Sequence, residues 1–259
     1  MSRSYQHNYS DLKPYVFDAQ ERQKKALTIV EVCKDFLEAE DLSGLSLLDV
    51  GSSSGIIDNT LASYFGQVHG IDIDEPAMNH AKATFKKDNL SFALGDAMKL
   101  SQANDSVDVV VCSHVYEHVP DAEIMFSEIY RVLKPEGFCY FSGNNRVMII
   151  EPHYRLPFLS LLPRPLAHLY MRITNKGEFY HEKHVSYRAL LRLCSAFEIV
   201  DYSSRIIADP DRFGVSYMLK KNSLKWSIAN FIARYFKWAT PHIWILQKPG
   251  HATNAQHER

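Results

Sequence analysis

Three carboxylates each stand at or just past the end of a short apolar run: Asp49 in Leu45-Ser46-Leu47-Leu48-Asp49-Val50, Asp72 in Gly70-Ile71-Asp72-Ile73, and Asp96 in Leu94-Gly95-Asp96-Ala97. The first run breaks into Gly51-Ser52-Ser53-Ser54-Gly55, a loop of small residues between two glycines. Glycine and serine put no bulk over the main chain, and glycine tolerates unusual φ/ψ, so a ligand can lie against bare backbone there. Asp72 follows at about the twenty-residue distance at which a strand-end carboxylate meets a ribose diol. A Gly-Asp-Ala turn after the third run suits an adenine edge, the carboxylate accepting from the exocyclic amine and a backbone N–H facing a ring nitrogen. Together these features predict a nucleoside-bearing cofactor at the carboxyl edge of a parallel sheet. A dinucleotide fold would supply the first two features as well. The loop here lacks the G-x-G-x-x-G spacing, however, and no residue is specially placed to meet a pyrophosphate.

The elements that must position these groups alternate regularly. A helix is predicted over 18–40, where Ala26, Ile29, Val30, Cys33, Phe36 and Leu37 recur at helical spacing among charges. Asp41-Leu42-Ser43-Gly44 reads as a break. Strands at 45–50, 67–73, 90–94, 107–112 and 138–143 then alternate with helices near 55–65, 75–87 and 121–133, and Lys134-Pro135-Glu136-Gly137 forms a turn. This rhythm predicts a doubly wound parallel sheet with helices on both faces. After Asn144 it stops, and residues 145–183, rich in proline, leucine and arginine, interrupt the pattern. A helix over 186–196 capped by Ser186, a strand over 197–203, a helix over 223–238 and a strand over 243–246 close the fold. The reading is one domain over 1–250. It has a cofactor-binding half at 45–144, an acceptor-site cap at 145–183, a C-terminal half at 184–250 and a disordered tail at 251–259.

Composition excludes several classes. The 259 residues carry a formal charge of −1, which offers no global field for nucleic acid. The four cysteines (33, 112, 139 and 194) are scattered without a CxxC pair, so reduced, buried thiols in a cytoplasmic protein are expected rather than a zinc or disulfide framework. The start of the chain lacks a signal-peptide core, and no apolar run spans a membrane.

The chain resembles the class I S-adenosylmethionine-dependent methyltransferases of small-molecule type. The resemblance rests on Leu48-Asp49-Val50-Gly51-Ser52-Ser53-Ser54-Gly55, Gly70-Ile71-Asp72-Ile73, Gly95-Asp96-Ala97, Val107 through Asp121, and Glu128 through Gly137, which occur in family order over about residues 45 to 144. It implies a Rossmann-like, seven-stranded α/β sheet, mostly parallel with an antiparallel terminal strand and a helical insertion after the fifth strand. It further implies S-adenosyl-L-methionine as cofactor. Asp49, Gly51, Ser52, Ser53 and Gly55 would meet its methionine part, Asp72 beside Ile73 the ribose, and Asp96 and Ala97 the adenine. Ser113 and His114 would lie beside the sulfonium and the acceptor. The family usually has glycine where this chain has Ser53.

Histidines suit proton removal from an acceptor because their pKa lies near the working pH. His184, at the start of the segment that closes the acceptor pocket in this family, and His118, beside Glu117, are the expected catalytic bases, with packing of His118 on the next helix the alternative. Tyr116, Arg155, Arg164 and His181 are assigned to the acceptor site. No metal is expected: in the set His114, His118, His153, His181 and His184, only His114 and His118 have i, i+4 helical spacing with a carboxylate in a ligand role. From 145 to 192 eight basic residues face three acidic ones among many leucines and aromatics. This mixture points to an acceptor with an anionic group and an apolar part, or to contact with an anionic membrane surface. The expected activity is O-methylation of a small-molecule or lipid- or glycan-linked acceptor by a monomer or homodimer that binds no nucleic acid. The alternative is a non-catalytic nucleoside-binding scaffold, resting on Ser53.

Overall fold

The computed structural model describes residue 7 and residues 9–250. In chain order the helices are α1 (Tyr9–Leu12), α2 (Ala19–Leu37), α3 (Ile56–Leu61), α4 (Glu75–Thr84), α5 (Ala122–Val132), α6 (Arg164–Ile173), α7 (Tyr187–Leu193), α8 (Ser203–Ala208) and α9 (Leu224–Tyr235). The strands are β1 (Leu42–Val50), β2 (Phe65–Asp72), β3 (Leu90–Leu94), β4 (Val107–Ser113), β5 (Leu133–Gly143), β6 (Ile150–Glu151), β7 (Leu156–Pro157), β8 (Glu198–Asp201) and β9 (His242–Gln247). Seven of them form one sheet in the order β3-β2-β1-β4-β5-β9-β8, and β6 pairs with β7 apart from it. β1 to β5 pair in parallel, whereas β9 runs antiparallel to both β5 and β8. This is the predicted mostly parallel architecture, with the antiparallel strand last in the chain but one place in from the sheet edge.

Side-chain alternation along β4 shows why the sheet is covered twice. Val109 and Val111 face one apolar layer with Ile29, Val30 and Cys33 of α2 and Leu61 of α3. Val110 and Cys112 face the other, with Met125, Phe126 and Ile129 of α5 and Leu190 of α7. A strand segment buried on both faces must be apolar at every position, as β4 is from Val109 to Cys112. The helices start where side chains satisfy their first N–H groups: Asp18 accepts from Glu21 N, Asp74 from Ala77 N, Asp121 from Glu123 N and Ile124 N, and Ser186 from Ala189 N.

Register sets the active edge. Val50 lies opposite Ile71 and Cys112, and Asp72 opposite Leu94, so the residues that follow β1, β2, β3 and β4 emerge side by side. Chain order reverses between β1 and β4, the crevice where open α/β sheets bind ligands.

Several boundaries move. β1 begins at Leu42, not 45, because residues 42–46 enter the ladder through a register irregularity instead of forming a break. β5 begins at Leu133, so Lys134–Gly137 is a kink within a strand, with Glu136 at φ +66°, and not a free turn. Helix α8 lies where only a strand end and a connection were expected; its buried Ile206 packs on Tyr202 and Phe213. The 145–183 insertion is less helical than predicted. It holds α6, a short ladder and a single 3-10 turn around its own apolar cluster of Leu156, Leu159, Ala167, Met171 and Tyr180. The tail expected to be disordered at 251–259 lies outside the described residues. Among the described residues no helix is long and apolar enough to cross a membrane, and the four cysteines are free and buried.

Candidate active site

The loop after β1 is held by main-chain bonds to β2. Gly51 N and Ser52 N both donate to Ile71 O (2.9 and 3.0 Å), and Ser53 N donates to Asp72 Oδ2 (2.8 Å). Asp74 N donates to Asp72 Oδ1 (2.9 Å), so the Asp72 carboxylate is oriented from both sides. Three loop residues have left-handed backbone: Gly51 (φ +89°), Ser53 (φ +53°) and Gly55 (φ +74°). A Cβ at Gly51 would stand 2.4 Å from Val115 Cγ2, and one at Gly55 would stand 2.7 Å from Ala81 Cβ. These two glycines therefore serve close packing as well as conformation. Ser53 takes the left-handed turn despite its side chain.

Asp58, in the first turn of α3, belongs to this group and was missed from sequence. An acid in a first helical turn is usual for reasons of dipole alone, so nothing marked it out. Ser52 Oγ donates to Asp58 Oδ2 (2.9 Å), while the buried Asp58 Oδ1 has no partner. Burial lifts the Asp58 pKa to about 7, with the Ser52 hydroxyl opposing and the Asp72 charge adding to the rise. Asp49 is raised well above the carboxylate range, first by burial and then by the charges of Asp58 and Asp72. Asp72 is raised too, by burial, against the N–H groups that hold it. Three acids thus press on one another beneath a loop free of bulk. A ligand that brings positive charge and a ribose fits such a site electrostatically and sterically.

The other predicted cofactor residues lie along the same edge. Asp96 Oδ1 accepts from Met98 N (2.7 Å), and Ala97 is buried beside it. Ser113 ends β4 opposite Ser142, and His114 follows in the left-handed region (φ +58°), its N–H donating to Ser142 O (2.8 Å). The His114 ring is half-exposed. Its Nδ1 lies 3.4 Å from Glu117 Oε1, and its Nε2 lies 3.3 Å from Ser142 Oγ. Glu117 is fully buried. Burial alone would raise its pKa, but the hydrogen bond from His114 and the charges of His114, His118 and His184 hold it down at about 2.

The predicted acceptor-side residues separate. His118 packs edge-on against Tyr9 and His153 (both 5.1 Å between ring centres). His184 is buried with its Nε2 3.4 Å from Glu151 Oε1, away from solvent. Tyr116 is buried and donates its hydroxyl to Asn144 O. Arg164 is committed to the backbone of the cap, donating to Tyr180 O and Glu182 O. Arg155 is exposed at a left-handed turn, and His181 is exposed with its ring near Phe179. The described N-terminal residues bridge the two sides: Ser54 Oγ donates to Val16 O (2.6 Å), and Lys13 Nζ to His153 O (3.0 Å).

Glycine loop, strand-end carboxylates and switch point together define an α/β enzyme domain of the nucleoside-cofactor kind. Residues 48–141 match the family model described as a methyltransferase domain. Over these residues the chain is similar to the class I S-adenosylmethionine-dependent methyltransferases, and the loop and strand-end carboxylates are compatible with that cofactor. A ubiquinone biosynthesis O-methyltransferase of Coxiella burnetii is 29% identical over 141 residues, covering 53% of this chain and 60% of the relative. A demethylmenaquinone methyltransferase of Lactococcus lactis is 34% identical over 131 residues, covering 48% and 52%. The chain thus spans less than two thirds of the length of either relative. Among solved structures, the complex of the Haloferax volcanii Trm112 methyltransferase activator with a methyltransferase matches at a TM-score of 0.59 and 18% identity, covering 96% of this chain and all of that one. A geranyl diphosphate C-methyltransferase of Streptomyces coelicolor matches at 0.50 and 14%, covering 84% and 76%. At these identities the structures speak for the fold alone.

Proposed function

We propose that this protein transfers the methyl group of S-adenosylmethionine to an oxygen of a small, largely apolar or lipid-linked acceptor. The carrying observation is the joint presence, on one sheet edge, of the bulk-free loop and the carboxylates Asp49, Asp72 and Asp96 within the matched methyltransferase domain. When bound, the cofactor supplies a methyl carbon activated by a sulfonium leaving group. Asp72 would receive the ribose hydroxyls, Asp96 and Ala97 the adenine, and the 51–55 backbone the methionine part. His114 is the residue best placed to take the acceptor's hydroxyl proton: it is half-exposed at the mouth of β4, and the Glu117 carboxylate 3.4 Å away orients the ring. His184 and His118, expected as bases from sequence, sit behind it and serve better as support. Orientation of the acceptor and exclusion of water complete the chemistry.

The acceptor's build is read from the cap. Leu166, Leu169 and Ile173 on α6 are 53, 48 and 73% exposed, and Phe158, Ile149 and Phe179 are exposed beside Arg155, Arg172 and Lys176. Apolar side chains among cations suit an acceptor held at an anionic membrane face, to which the protein would attach peripherally from the cytoplasm. The names of the two relatives, both quinone-pathway methyltransferases, accord with such an acceptor. The scaffold reading rested on Ser53, and Ser53 keeps the left-handed turn of the loop, so no observation remains in its favour.

Calorimetric titration with S-adenosylhomocysteine tests the reading. Wild type should bind, and Asp72→Ala should bind roughly 10- to 100-fold more weakly, the worth of one or two hydrogen bonds to a charged group. Arg155→Ala should bind normally and change only acceptor use. No binding by wild type, or equal loss in both variants, would sink the assignment.

A further inference from the structure

Behind the methyl-transfer edge lies a second cluster of reactive groups. Glu151, His153 and His184 bring one ligand atom each to within 4.8 Å of one another, and Glu117, His118 and His153 do the same next to them. The side chains of the first trio are 0, 9 and 1% exposed. Glu151 Oε1 stands 2.6 Å from His153 Nδ1 and 3.4 Å from His184 Nε2. Donors around a tetrahedral ion with bonds of about 2.0–2.1 Å lie about 3.3 Å apart. The trio therefore needs to open by less than about 1 Å on its shortest side to hold such an ion.

Charge argues the same way. Glu151 and Glu182 are buried, and among the described residues no lysine or arginine lies within 4 Å of either carboxylate. Glu182 Oε2 and His184 Nδ1 are buried without a partner, although Tyr154 links the two acids by donating its N–H to Glu151 Oε2 (2.9 Å) and its hydroxyl to Glu182 Oε1 (3.4 Å). Beside Glu151 the nearby partners are the His153 and His184 imidazoles, which are metal-ligand groups as well as proton carriers.

We propose that Glu151, His153 and His184 bind one divalent transition-metal ion of the zinc class, which fastens the 145–183 cap to the segment that follows it. Imidazole and carboxylate are the ligands such ions take, and the sequence separation explains the stabilising value: the ion joins residues 151 and 153 to residue 184 across the whole length of the cap's α6. Nothing in this site requires the cofactor to be bound.

The test uses the full chain stripped with a chelator and dialysed, then titrated with Zn2+ alone and with Co2+ alone. The expected result is about one equivalent of tight binding, visible Co2+ bands of a low-coordinate N/O site, a raised melting temperature and slowed hydrogen exchange in 145–184. Glu151→Gln and His184→Gln should each weaken Zn2+ binding by more than about 100-fold, since even outer-shell partners of a metal are worth about 10–100-fold. His80→Gln, on α4, should leave it unchanged. Less than a tenth of an equivalent bound by folded wild type would overturn the proposal whether or not the variants fold. So would Zn2+ binding that survives both variants. Because metal content and Co2+ spectra are read without an acceptor, failure here would leave cofactor binding by the same preparation intact and separately measurable.

Discussion

Asp58 offers a direct measurement of how the fold handles its buried acids. Its carboxyl is held at about 7 against an ordinary value of 3.8, chiefly because it is buried. Between those two values the folded chain keeps a proton that the unfolded chain has lost. Stability against unfolding must then fall as pH rises. The contribution is whole below 3.8, declines by about 1.4 kcal/mol per pH unit, and is gone above about 7, in all on the order of 4 kcal/mol. Between pH 5 and 7, where most proteins can be studied, the loss is on the order of 3 kcal/mol. Asp58→Asn removes the titration while retaining the acceptor that Ser52 Oγ uses. Urea unfolding at pH 5, 6, 7 and 8 should show wild type weakening towards pH 7 and Asp58→Asn declining more gently, the remaining slope coming from Asp49 and Asp72, which are raised too. Parallel curves for the two proteins would refute the reasoning, since they would mean that Asp58 is charged in the folded state throughout.

Two further outcomes follow from the same geometry. Gly51→Ala places a methyl 2.4 Å from Val115 Cγ2 on a backbone at φ +89°, and should cost about 1–3 kcal/mol and weaken S-adenosylhomocysteine binding, as differential scanning and calorimetry would record. Ile173→Glu combined with Leu169→Glu, on the exposed side of α6, should abolish sedimentation with vesicles of anionic lipid without changing the melting temperature by more than about 2 °C, because both side chains are in water already. Undiminished sedimentation would remove the case for a membrane-facing cap.

Much of this protein is legible in one dimension. The chain of β1 to β5, the glycine loop and the carboxylates at strand ends depend on local pattern: an apolar run buried on both faces can only be a central strand, and a group at its end can only reach the carboxyl edge. Ser186 caps a backbone N–H three positions away, so the helix it begins could be placed closely from sequence. Boundaries failed where tertiary partners extend an element past its own propensity, as when pairing with β2 draws Leu42 to Ser46 into β1.

What only the folded chain decides is which charges meet. Asp58 becomes part of the acidic group because α3 turns it beneath Ser52, and packing leaves the His114 ring half-exposed while it buries His184. Glu151, His153 and His184 share no sequence spacing that would mark them as a group. Their convergence is made by the cap folding back over thirty residues onto its own beginning. Local sequence determines the strand and its terminal group, but the energy of a buried carboxylate or imidazole depends on neighbours that distant parts of the chain bring to it.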